Sequence, residues 1–415
     1  MVNVIKIAAR NLRRYQRRTL LTSALIALGV VAVLLFISIT GSFKQMMVGQ
    51  ITDAMIGHLQ VHRNGYLAAI DNLPLNRNLN RKQVAKVKQI LGETAEIESF
   101  SMRIKLGAMF SNFTETTNIR LNTVIPEQEV KTVPLLIDRI IQGEKEESLL
   151  KKGQILIPEL LAKGMKVNVG DSIVLVANNK DGSVNGQTFT VSGVLEGITG
   201  PGGRDGMIHL DDARQLLRIN DVEVSEIAIR LKNMGDLPGV FSGLKAALES
   251  IRDKNDRPVF ELHTWEKLSP FYNIAKMIDL MTLFIKIMLV AVVLVSITNV
   301  MIMAVYERIN EIGTIAAIGT LPRRIMALFV VEGFLLGVVG TAVGTVISLI
   351  SIAAINAAGL TFDFGRQSNL VLAPTIGAGD VITIVLIVIG IAVAASVQPA
   401  FKAARMDPIT ALRHV

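Results

Sequence analysis

Cysteine is absent from all 415 residues, which removes disulfides and thiolate metal sites from consideration. Histidine is scarce, with five in the chain. His58 and His62 stand four apart, a spacing that on a helix puts two imidazoles on one face. No HExxH glutamate and no third ligand follow them, so no metal site is expected. The sequence also lacks a GxxxxGK[ST] segment, so it holds no loop of its own to cradle nucleotide phosphates. GITGPGGRDG (197–206) is glycine-rich but has neither the lysine nor a strand–loop–helix setting, and it reads as a surface loop. No GxSxG elbow occurs, and no serine, lysine or aspartate set within the apolar runs suggests intramembrane proteolysis. These absences argue against an enzyme and against a cofactor held by this chain.

Long apolar runs, by contrast, are plentiful. Half of the residues are hydrophobic, and the excess gathers at 19–41, 287–305, 325–356 and 380–399. A bilayer core of about 30 Å needs about 20 apolar residues, so four transmembrane helices are expected. The first run is too long for the 7–15 residue core of a signal peptide and is read as a retained signal-anchor. Charge sets the orientation. Residues 1–18 carry Lys6, Arg10, Arg13, Arg14, Arg17 and Arg18 and no acid. The 306–324 loop and the 400–415 tail are also net basic, whereas 41–277 is close to balanced. Under the positive-inside rule both termini and that loop face the cytoplasm, and the large insert lies outside the cytoplasmic membrane. A nucleic-acid role would want a basic patch on a folded domain, and none is present.

Residues 1–18 read as an amphipathic helix, with Ile5, Ala8, Ala9 and Leu12 on one face and arginines positioned for anionic headgroups of membrane lipids. Residues 42–269 mix period-2 runs such as DSIVLVA (171–177) and SEIAIRLK (225–232) with helical runs at 81–92, 211–218 and 236–252. This predicts an α+β domain in two parts, with a compact β-rich piece near 150–222. Its connections to the membrane read as stalk helices, 42–56 continuing the first span and 270–286 leading into the second after Ser269-Pro270. The loop 357–379 is expected to be extracytoplasmic. In the third span, Gly333/Gly337 and Gly340/Gly344 form two GxxxG pairs that allow close helix approach. Glu332 is a costly residue at depth, expected near the interface or paired through Asn299 or Arg324.

Several patterns coincide. ARNLRRYQRRTLLTSALIALGV opens the chain, one span and a large insert follow, and three spans cluster at the end. The loop between the second and third spans reads ERINEIGTIAAIGTLPRRI, and the chain closes on PAFKAARMDPITAL. The whole layout resembles the MacB-type (FtsX-like) permease subunits of ABC transporters, and most closely the lipoprotein-releasing permeases. The resemblance implies a membrane α-helical fold with an extracytoplasmic α+β domain between the first two spans. It also implies a separate cytoplasmic ABC ATPase that binds the ATP, a second permease as homodimer or paralogous heterodimer, and mechanical transmission across the membrane. The 306–324 loop then becomes a coupling helix. Ile309, Ile312, Ala316, Ala317 and Ile318 would offer an apolar contact surface. Glu307, Arg308 and Glu311 would make charge-assisted contacts, Gly313 and Gly319 would permit close approach, and Pro322 would restart the chain toward the third span. Three outlets for the work remain open: release of lipoproteins or other lipidic cargo, export of periplasmic peptides or drugs through an outer-membrane partner, and a signalling arm that activates a hydrolase or sensor.

Overall fold

A computed structural model describes residues 2–145, 149–197, 204–364 and 367–407. Most of the glycine-rich 197–206 loop, and the tail from residue 408, therefore lie outside the described residues. In chain order the elements begin with helices α1 (Val2–Arg14) and α2 (Gln16–Ile51), and a single π-helical turn over Thr52–Ile56. Next come β1 (Leu59–Arg63), α3 (Arg81–Gly92), β2 (Ile97–Ser111), β3 (Thr116–Val124), α4 (Pro126–Thr132), β4 (Ile140–Gly143), β5 (Gln154–Pro158) and α5 (Glu159–Met165). The insert is completed by β6 (Ser172–Asn178), β7 (Val184–Leu195), β8 (Gly206–His209), α6 (Leu210–Leu216), β9 (Glu226–Leu231), α7 (Leu237–Glu249), β10 (Phe260–Thr264) and α8 (Trp265–Leu268). The chain then runs through α9 (Phe271–Glu307), α10 (Ile309–Ala317), α11 (Pro322–Ala358), the short strands β11 (Thr361–Phe364) and β12 (Gln367–Val371), and α12 (Ala378–Ala404). These elements form two compact units. One holds residues 1–45, 276–362 and 369–415, and the other holds 46–275 with 363–368.

The first unit is helical. α2, α9, α11 and α12 are each long and apolar enough to cross a membrane. The residues expected as stalk and span at 270–305 form one unbroken helix, 37 residues long, which at 1.5 Å per residue is about 55 Å. The Ser269 hydroxyl accepts the amide of Phe271 at its start. Ile26, Val30 and Leu34 of α2 share a core with Val293 and Ile297 of α9, Phe329 of α11 and Val388 of α12. The glycine stripe of α11 shows why this helix can sit against two neighbours. A Cβ at Gly333 or Gly337 would come within 2.6 Å of Ser396 or Ala392 on α12. One at Gly340 or Gly344 would come within 2.8 Å of Ile26 or the Ala27 carbonyl on α2. Each GxxxG pair thus serves a different helix, and backbones approach where lipid offers no hydrophobic drive to association. Farther along, Lys44 of α2 binds Asp279 of α9 at 2.6 Å, an exposed pair worth little by itself.

The second unit is built on ten strands in the order β10-β1-β9-β2-β3-β8-β5-β7-β4, with β6 pairing β2 and β7. The long strand β2 belongs to both halves. Its first part pairs β9, and its second part pairs β3 and β6. Two cores result. One gathers Leu59, Val61, Val87, Ile227, Ile229 and Leu244 between β1, β9, α3 and α7. The other gathers Ile104, Phe110, Ile155, Leu175, Phe189 and Leu216. The β-rich piece therefore begins near residue 104 rather than 150, because β2 and β3 supply part of its wall. Helix α3 starts at a capping box in which Asn80 and Gln83 satisfy each other's amides. Gly57, at φ +74°, makes the turn into β1, where a Cβ would come within 2.9 Å of the Ile229 carbonyl.

Where β2 passes from one half to the other, the interior carries charge. Arg103 is fully buried and binds Glu129 at 2.7 Å and Glu226 at 3.1 Å. Lys105 reaches Glu226 at 2.9 Å. Burial pushes the Glu226 carboxyl upward, but Lys105 and the other neighbours outweigh it and hold the group well below the usual range.

Candidate functional site

The loop between the second and third spans folds as a helix of its own. α9 ends at Glu307, Arg308 breaks the helical geometry at φ −115° and ψ 19°, and α10 runs for nine residues. Gly319, at φ +90°, closes it in the left-handed conformation common just past a helix end. Pro322 opens α11, in the first turn, where its missing amide costs nothing.

Arg308 lies beneath this helix. It is 4% exposed and its guanidinium binds Glu332 of α11 at 2.9 Å. Glu332, 1% exposed, also accepts the Asn11 amide of α1 at 2.7 Å. Its partners are therefore Arg308 and Asn11. Asn299 and Arg324, the partners expected from sequence, are both exposed. A carboxylate at this depth is tolerated because it is paired and hydrogen-bonded at once. Arg308 is accordingly an internal tie and not an outward contact, which corrects the sequence reading.

The two glutamates of the loop bind arginines of the basic N-terminal segment, one on α2 and one on α1. Glu307 meets Arg18 at 2.7 Å and Glu311 meets Arg14 at 3.2 Å. Tyr15 lies among these charges, with the guanidinium carbons of Arg14, Arg18 and Arg308 at 5.8, 5.2 and 5.2 Å from its ring centre. Cation–π attraction of this kind adds to the ion pairs. Residues of α1, α2, α9, α10 and α11 thus share one polar clamp. Asn11 and Tyr15 were not singled out by sequence reasoning, and Arg14 and Arg18, read there as charges for lipid headgroups, bind glutamates instead. A lone aromatic inside an arginine run was the only signal available.

The apolar side chains of α10 divide in a way that spacing alone did not give. Ile312 and Gly313 are buried inside the unit, while Ile309 and Ala316 are half-buried. Ile318 is 80% exposed, and Ile315, Ala317 and Leu321 are exposed beside it in sequence. The outward set is Ile315, Ile318 and Leu321, followed by the exposed Arg323 and Arg324. Ile312 leaves the expected contact surface because the helix needs it as an anchor.

Family models match both parts of the chain. One described as a MacB-like periplasmic core domain covers residues 19–247, and one described as an FtsX-like permease C-terminal region covers 283–408. The lipoprotein-releasing system transmembrane protein LolC of Neisseria meningitidis serogroup B is 24% identical over 420 residues, spanning 95% of this chain and 94% of the relative. LolC of Haemophilus influenzae is 23% identical over 423 residues, covering 95% and 93%. The macrolide export ATP-binding/permease protein MacB of Escherichia coli is 27% identical over 187 residues, 45% of this chain and 27% of that protein.

Proposed function

The chain belongs to the family of ABC transporter permeases that join a MacB-like periplasmic core domain to an FtsX-like permease region, and from that premise we propose that it passes the work of a separate ABC ATPase to its periplasmic domain. The motor docks on α10 from the cytoplasm. α1, the 306–324 loop and the tail share that side, as the basic charge at 1–18 supports. ATP binding by the motor draws two permease subunits together, and α2 and α9 carry the movement outward. The cargo is a lipoprotein or related lipidic molecule, a reading supported by two relatives of that name aligned over 95% of the chain. Few charges interrupt the spans, so a small solute has no polar path across.

The observation that carries this reading is the division of α10. Buried Arg308–Glu332 and the exposed pairs of Glu307 and Glu311 tie the 306–324 loop to the helical unit, while Ile315 of α10 and Ile318 and Leu321 just beyond it are exposed. A helix fixed on one side and apolar on the other moves as a unit when its free face is gripped. Burying one such isoleucine on docking contributes about 1.5–3 kcal/mol. Ile318→Asp removes that contribution and adds a desolvated charge. The expected result is at least tenfold weaker association with the ATPase, measured by co-purification and titration in detergent, with the permease itself as stable as wild type. Undiminished association of the variant would exclude this face as the docking surface.

A further inference from the structure

Far in sequence from the clamp, strands β1 and β10 lie antiparallel with His62 opposite Glu261. His263 is two residues beyond Glu261, so all three side chains stand on one face of the sheet. One ligand atom from each lies within 4.8 Å of the other two. Both imidazoles are buried, His62 completely and His263 to within 7%. Neither ring nitrogen of His62, nor Nε2 of His263, has a hydrogen-bond partner.

That combination needs explaining. A neutral imidazole carries one donor and one acceptor, and buried polar atoms are almost always satisfied. The neighbours do not satisfy these. Glu226 Oε2 is 3.6 Å from His62 Nε2, too far for a hydrogen bond, and is engaged by Lys105 at 2.9 Å. Tyr66 stacks on the His62 ring at 5.1 Å and orients it without bonding to it. Glu261 is fixed by the amides of Gly65 and Leu67 at 3.2 and 2.8 Å. The three groups are therefore held in place, and the nitrogens are left idle.

We propose that His62, Glu261 and His263 form a binding site for a zinc-class divalent cation. Two imidazoles and one carboxylate make a donor set of the type zinc takes, and one that calcium and magnesium do not favour. Two ligands about 2.1 Å from a tetrahedral zinc are about 3.4 Å apart. His263 Nε2 and Glu261 Oε2 are 3.5 Å apart. With all three ligand atoms within 4.8 Å of one another, the third needs a closing movement of at most about 1.4 Å, within the freedom of a side-chain torsion. A fourth coordination position would open toward a cleft of about 320 Å³, which Glu261 and His263 line together with Asn64, Lys245 and Lys267. The ion would tie the strand that follows α2 to the strand that leads through α8 into α9. It would therefore staple the two points at which the chain enters and leaves the insert.

The test uses the full chain, purified in detergent on a tag without histidine, stripped with chelator and equilibrated with Zn²⁺ alone. Elemental analysis is expected to find one zinc per chain and no retention of Ca²⁺ or Mg²⁺, and the zinc raises Tm. His263→Gln, at the cleft rim, weakens zinc binding by about 100-fold or more, beyond the 10–100-fold of an outer-shell change. It also loses the zinc-dependent rise in Tm while keeping the Tm of stripped wild type. His209→Gln binds zinc normally. Should the ligand variants fail to fold, Co²⁺ added to stripped wild type gives a visible absorption of a low-coordinate nitrogen and oxygen site without any substitution. Failure of wild type to take up zinc or to develop the cobalt band, or equal zinc affinity in folded His263→Gln, overturns the proposal.

Discussion

Arg103 is the largest fully buried side chain of the insert, and it answers to two carboxylates at once. Removing one member of a buried ion pair costs about 3–5 kcal/mol, because the remaining charge loses its partner. Arg103→Met is expected to fall in that range by thermal or denaturant unfolding, and adding Glu129→Gln should recover part of the loss. Glu332 follows the same logic in the membrane unit. Glu332→Leu strands Arg308 and should destabilise by about 3 kcal/mol, whereas Arg308→Leu combined with Glu332→Leu should lie closer to wild type than either single change. Equal, additive losses would mean that the two residues do not act as a pair. Neither network was legible in the sequence. Arg308 read as an outward charge because nothing in a local pattern names a partner 24 residues away. The same limit hid the two residues that join His62, since Glu261 and His263 arrive only when β10 pairs with β1.

Elements were read more successfully where periodicity is long and physical constraints are few. Four apolar runs became four long helices, and the GxxxG pairs in α11 marked close approaches. α10 was expected as a helix only through the family resemblance, and its orientation was not legible, because burial of Ile312 depends on the other helices of its unit. In the insert, strand β2 was missed as the shared element of the two halves. Its alternation continues through a change of partners that only pairing reveals. Helix α6 offers a pH test at this scale. The hydrogen bond from Lys152, stronger than the opposing effect of burial, holds the Asp211 carboxyl below its ordinary value, with His209 and Arg214 adding to it. A lowered acid pKa contributes stability above the unfolded value of about 3.9 and loses it as pH falls through the folded value. The group is partly exposed, so the effect is under about 1 kcal/mol. Asp211→Asn should shift Tm slightly at pH 6 and not at all near pH 2, and an undiminished difference at low pH would refute the assignment.

At the scale of the whole molecule, α2 and α9, helices of 36 and 37 residues, are the chain connections between the helical unit and the insert. The central claim is that the free face of α10 is where the motor attaches. A photo-crosslinking amino acid placed at Ile318 tests this most directly, in the permease reconstituted with its ABC ATPase. Leu386 serves as the control, since it is exposed on a transmembrane helix. The account predicts an ATPase adduct from position 318, diminished by Ile315→Asp in the same chain, and none from position 386. No ATPase adduct at 318, or equal yields at both positions, would contradict it.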